Sequence, residues 1–311
     1  MKVVNQVVVG LLVVSMVVTS SFADDATNYL KSGISKGQRG DFDGAYSDFT
    51  MAISIKPDFV QAYVERGLTT GARVKNDGNF ADASARAVAD YNKAIALDPA
   101  YAPAFYNRGV VMQANGEFEN AKADFIRVTK LRSDLMLWAQ AYLHLGELQK
   151  GENDKAGAAY YFSAAYYYRG ISEAEKMQTN NALADFTKAI ELRPNFPMAY
   201  YDRGRFEQTT GDLDDALADY TRSIELDPKF SNSFMNRGNV KRAKNDIAGA
   251  LTDYNEAIEL DPKDAKAWMN RGIARALQAD TTGSNADFYK AIQINPEIRG
   301  LIERNGYSVN Y

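Results

Sequence analysis

The sequence predicts an all-α fold, a solenoid of antiparallel helix pairs. Three observations carry that prediction. The segments AYYYRG, AYYDRG, SFMNRG and AWMNRG place Gly170, Gly204, Gly238 and Gly272 at intervals of 34 residues, and Pro194, Pro228, Pro262 and Pro296 keep the same beat. Inside each period the apolar residues recur at helical spacing, as Ala216, Tyr220 and Ile224 do, with length for two helices and two turns. Composition agrees: of 311 residues, 46% are hydrophobic and 24% charged, with a net charge of -4, which is ordinary globular material long enough for a continuous stacked core. Acids and lysines interleave without the basic stripe that a phosphate backbone requires, so nucleic acid is not an expected partner.

Taken in order, the chain opens with MKVVNQVVVGLLVVSMVVTSSFA, one Lys before a mostly apolar run from Val7 to Val18 and small residues at Ser21 and Ala23. This is the layout of a signal peptide over residues 1–23, with cleavage expected before Asp24 and a secreted, periplasmic location. Membrane association is expected only through an uncleaved leader. There is no Cys, so disulfides and thiol chemistry are excluded. The first repeat is read over residues 26–59 and the second over 60–101. In the second, Gly67 and Ala87 stand 20 residues apart where the strict units have 12; the extra residues either lengthen both helices by about a turn or form a loop at Asn76-Asp77-Gly78. That NDGN stretch lacks the order and spacing of a calcium loop. The third repeat covers 102–135. The register then breaks, with Gly109 and Gly170 separated by 61 residues instead of 68, so 136–162 is read as a degenerate repeat. Four strict repeats follow at 163–196, 197–230, 231–264 and 265–298, and residues 299–311 supply a short capping helix, with Leu301 and Ile302 over the last core. Within a strict unit Pro228 disfavours helical geometry at Asp227 and so ends the second helix. Gly204 and Ala216 lie equally far from the Gly211 turn, and the hairpin brings them face to face, with Tyr200 and Tyr220 on either side.

These residues resemble the tetratricopeptide repeat: an aromatic four residues before a Gly, a turn Gly, then Ala, Phe or Tyr, and Ala in the second helix, and a closing Pro. The pattern also runs upstream through Tyr29, Gly33, Gly40, Ala45, Phe49, Ala52 and Pro57, and through Phe105, Gly109, Gly116, Ala121 and Phe125. Seven units plus the degenerate one are readable. Departures are Met177 at a turn glycine, Ser223 at a late Ala, and Asn245, Ala279 and Ser284. The resemblance implies a right-handed superhelix whose first helices line a concave groove that takes a protein or peptide segment.

Catalytic chemistry finds little support. The one His, His144, sits mid-helix between Leu143 and Leu145 and reads as a packed or surface histidine. Without Cys or a second His there is no zinc set and no Cys nucleophile, and no phosphate or dinucleotide loop occurs; no cofactor or metal is expected. Arg66, Arg108, Arg169, Arg203, Arg237 and Arg271 precede the repeat glycines, and Asp90, Asp124, Asp185, Asp219, Asp253 and Asp287 precede the second-helix aromatics. In the strict units the two straddle the turn symmetrically, so they are expected to pair as an intra-repeat ladder; Ser32 breaks it opposite Asp48. The resemblance places Tyr106, Asn107, Tyr167, Tyr168, Tyr201, Asp202, Arg205, Asn236, Asn239, Arg242 and Asn270 along the groove, with the tyrosines expected to stack on a ligand. The expected function is a non-catalytic interaction scaffold in the cell envelope. The alternatives are an enzyme or enzyme-accessory subunit in cell-wall or polysaccharide handling, or a structural subunit of an envelope assembly.

Overall fold

The structure, a computed structural model, describes residues 24–77, 80–131 and 133–308. The leader read over residues 1–23 lies outside them. Every regular element among the described residues is helical, and no helix among them is long and apolar enough to cross a membrane. The chain divides after Ala158 into two compact units.

In the first unit, α1 covers residues 24–38 and is followed by α2 (Phe42–Ile55), α3 (Val60–Asp77), α4 (Phe80–Leu97), α5 (Ala102–Ala114), α6 (Phe118–Lys130) and α7 (Leu135–Gly151). The extra residues of the second repeat resolve into longer helices, since α3 and α4 each have 18 residues; Gly78 and Asn79 of the NDGN stretch lie outside the described residues. The helix α8 (Lys155–Glu175) is one unbroken element of 21 residues, so the second helix of the degenerate unit and the first helix of the next are fused. In the second unit come α9 (Thr179–Leu192), α10 (Pro197–Thr210), α11 (Leu213–Leu226), α12 (Ser231–Ala243), α13 (Ile247–Leu260), α14 (Ala265–Leu277), α15 (Thr281–Ile294) and α16 (Ile298–Arg304). The helices α10 to α15 pack as consecutive hairpins, each on its chain neighbours.

Local chemistry explains the boundaries. The helix α11 stops at Leu226 with Asp227 off helical geometry (φ -137°, ψ 88°), as Pro228 requires. Asp41, Asp246 and Asp280 cap their helices by accepting a hydrogen bond from the amide three residues on. The hairpin turn needs a left-handed residue: Gly40, Gly116 and Gly211 supply it with φ of 83°, 82° and 95°, while Asn153, Met177, Asn245 and Ala279 adopt φ near 60° at the matching turns. The departures from the glycine pattern are therefore changes of residue without change of backbone.

Small residues let paired helices close. A Cβ on Gly204 would meet the Ala216 carbonyl and the Tyr220 ring, both at 3.3 Å. Tyr200 packs against the core of the preceding hairpin, around Tyr167, Phe186 and Ala199, and also bonds Arg222 of α11. In α16 Ile302 is fully buried and Leu301 packs beside it, so the helix covers the apolar side of Met269, Ile273 and Phe288 in the α14–α15 hairpin.

Candidate functional site

The arginine–aspartate ladder forms in all six places. In each of these hairpins the guanidinium grips the carboxylate with two parallel hydrogen bonds: Arg237 donates to Asp253 at 3.0 and 2.8 Å, Arg203 to Asp219 at 2.7 and 2.8 Å. The same fork holds Arg66 to Asp90, Arg108 to Asp124, Arg169 to Asp185 and Arg271 to Asp287. The aspartates are buried, so these arginines are committed within the hairpin. At the break, Ser32 donates to Asp48 at 2.6 Å, and Lys36 supplies the missing cation at 2.8 Å.

In the second unit the first-helix face is a chain of hydrogen bonds between successive repeats. Tyr167 of α8 donates its hydroxyl to Asp202 of α10 at 2.8 Å, and Asn236 of α12 donates to the Tyr201 hydroxyl of α10 at 3.2 Å. Both pairs are 35 residues apart, one repeat plus one position. Arg205 then donates to Asp202 at 2.9 Å, Asn239 to Asn236 at 3.4 Å, and Tyr254 of α13 donates to Asn239 at 2.9 Å while accepting from Arg242 at 3.4 Å. Tyr220 likewise donates to Gln208 at 2.9 Å. Burial, reinforced by Asp202, pushes the Tyr167 hydroxyl far above the ordinary tyrosine range, and burial also raises Tyr201. These hydroxyls therefore stay protonated and act as fixed donors and acceptors.

Two expected groove residues are corrected. Tyr167 is only 3% exposed and sits in the core of its hairpin against Phe186 and Phe196, so its ring is spent on packing and its hydroxyl on Asp202. Asn270 is likewise buried. Tyr168, Tyr201, Asp202, Asn236, Asn239 and Arg242 are half-buried, and Arg205 is exposed, with 53% of its side chain accessible. Tyr220 of α11 and Tyr254 of α13 are fully buried and support this face from beneath through their hydroxyls, a role the sequence pattern did not single out. Their signal was present: where three hairpins have Phe125, Phe186 and Phe288, these two, like Tyr91 of α4, carry a phenol, which when buried needs a partner.

In the first unit Tyr106 approaches His144 Nε2 at 3.3 Å, His144 Nδ1 faces Gln113 Oε1 at 2.8 Å, and the imidazole stacks on Phe125 with ring centres 4.7 Å apart. Burial lowers the pKa of His144. It is a packed histidine with both nitrogens engaged. Asn107 donates to the Pro103 carbonyl at 2.8 Å. Among the described residues no group of acids and histidines could hold a metal ion.

An open cleft of about 440 Å³ lies between α9, α10 and α11, lined among others by Lys188, Arg203, Glu207 and Asp215. Burial first, and then the neighbouring Asp219 carboxylate, raise Glu207 to about 7.

Comparison with known proteins bears on these features. Residues 85–116 and 238–278 match a family model described as TPR repeat, and residues 186–218 match one described as tetratricopeptide repeat. No curated protein matches the chain. Among solved structures, YrrB, described as a TPR protein with an unusual peptide-binding site, is 22% identical over 70% of this chain and 95% of its own, with a TM-score of 0.30. The first TPR of Spaghetti bound to an HSP90 peptide is 18% identical over 38% of this chain and 93% of its own, with a TM-score of 0.37. The family-model matches to the tetratricopeptide repeat thus fall in both units, over residues 85–116, 186–218 and 238–278.

Proposed function

We propose that the protein is a non-catalytic interaction scaffold that holds a peptide or protein segment on the first-helix face of its second unit. Tetratricopeptide repeats generally mediate protein–protein interaction. The observation that carries the reading here is the hydrogen-bond chain from Tyr167 through Asp202 to Arg205 and from Tyr201 through Asn236 to Asn239. It fixes amides and a guanidinium before any ligand arrives, which lowers the ordering cost of binding. Amides meet backbone donors and acceptors alike, which suits a ligand recognised along its main chain. An envelope location belongs to the same reading and is supported by the leader-like composition of residues 1–23.

The test places a photo-reactive amino acid at Arg205 and, as a control, at exposed Glu256 of α13, in cells of the native source. Cross-linking to one partner from position 205 and not from 256 is expected. Replacing Arg205→Ala together with Arg242→Ala is expected to weaken that partner by about 2 kcal/mol if the two arginines are hot spots, with the helical circular-dichroism signal unchanged. Unchanged affinity in a folded double variant assigns the partner to another face.

A further inference from the structure

The ladder has a second position, four residues after its arginine and so on the same helical face. In α1, α12 and α14 this position holds Lys36, Lys241 and Arg275, 2.8, 2.8 and 2.9 Å from Asp48, Asp253 and Asp287; Lys241 and Arg275 bring a second cation to the ladder aspartate, and Lys36 brings the one cation that replaces the absent arginine. In α8 and α10 the same position holds Glu173 and Glu207. In α3 and α5 it holds the neutral Thr70 and Met112, so the two neighbouring hairpins of α8 and α10 alone set a carboxyl group where the other ladder hairpins have a cation or an uncharged side chain.

We propose that this makes α10–α11 a proton-dependent hairpin: Glu207 and Asp219 hold one proton between them beside Arg203, and the hairpin loosens when that proton leaves. The geometry leaves an ionised Glu207 with one loosely held cation and no hydrogen bond at its buried oxygen. Arg203 is committed to Asp219 and to Thr187, and it stands 3.7 Å from Glu207 Oε1, too far for a hydrogen bond. Glu207 Oε2 is buried and makes no hydrogen bond among the described residues. The protonated form, by contrast, has a hydroxyl to donate and a carboxylate, Asp219, to receive it.

The other charges around the pair do not replace the missing cation. From α9, Lys188 is drawn to Glu191 at 2.8 Å. Asp212 just before α11, and Asp215 and Asp219 within it, add negative charge. From α12, which packs on α10 and α11, Lys241 is held by Asp253 and Lys244 by Asp214. Glu207 stands at about 7 in the folded protein against an ordinary 4.5. With the folded value above the unfolded one, the folded state binds the extra proton between the two. Its contribution is therefore complete below the ordinary value and is lost as pH rises through about 7. Glu173, also with a buried and unbonded Oε2 and also raised by burial, repeats the arrangement in the hairpin before.

The experiment uses the full chain with carboxyl-labelled glutamate. Carbon NMR is expected to show one glutamate titrating near 7 that disappears in Glu207→Gln. Thermal midpoints between pH 5 and pH 8.5 are expected to fall more steeply for the unsubstituted chain than for Glu207→Gln, which stays neutral throughout. Glu207→Lys, copying the Lys241 arrangement, is expected to melt higher than the unsubstituted chain at pH 8.5. A Glu207 carboxyl titrating with the bulk of glutamates overturns the proposal, as do parallel melting profiles for the unsubstituted chain and Glu207→Gln. If Glu207→Gln does not fold, the labelled titration and the Glu207→Lys comparison decide it: no resonance near 7, or no gain from the lysine, overturns it equally.

Discussion

Asp253 concentrates more charge on one buried carboxylate than a surface ion pair does. It is 1% exposed and receives two hydrogen bonds from Arg237 and a third contact from Lys241. An exposed pair of this kind is worth ~0 to 1 kcal/mol, but here removal of the acid strands two cations in a hairpin interior. Asp253→Ala is expected to cost about 3 to 5 kcal/mol, measured by urea denaturation, and a double-mutant cycle with Arg237→Ala is expected to show strong coupling. Additive losses would mean that the two side chains do not support one another. The ladder was legible in the sequence because residues 16 apart straddle a turn of known position. Burial of Tyr167 was not, because the same tyrosine-rich stretch serves packing on one side and hydrogen bonding on the other, and helical period alone does not apportion them.

At the scale of the hairpin, the turn residue is where sequence and backbone part company. Met177 holds φ 59° at the position where Gly211 holds φ 95°, and it is 90% exposed, so it gains little from packing there. A left-handed conformation costs a residue with a side chain about 1 to 2 kcal/mol, partly offset by the greater freedom of glycine in the unfolded chain. Met177→Gly is therefore expected to stabilise the protein by about 1 kcal/mol, read as a higher urea midpoint at unchanged slope; a lower midpoint would refute the strain argument. Helix number, pairing and the closing prolines were all readable from the 34-residue beat, and so was the longer second repeat. The fusion of α8 was readable too, since no Gly or Pro lies between Ala158 and Arg169 to stop the shortened second helix from running into the next repeat.

Across the molecule, packing runs between chain neighbours, so a local defect should stay local. A Cβ on Gly238 would lie 2.7 Å from the Tyr254 ring, and Gly238→Val is expected to overpack that crossing by about 1 to 3 kcal/mol. Hydrogen exchange should quicken in α12 and α13 while α9 and α16 keep their protection; uniform quickening would show a single cooperative block instead. The staggered contact between repeats has a consequence for how such a chain can change its length. Because each phenol reaches the residue one period and one position ahead, loss of residues 197–230 would bring Tyr167 opposite Asn236 in place of Asp202, and a hydroxyl would again meet an amide or a carboxylate. Duplication of the same segment would set Tyr201 against a copy of Asp202. Repeats with this seam are interchangeable parts, and gain or loss of one by unequal recombination leaves the join chemically matched.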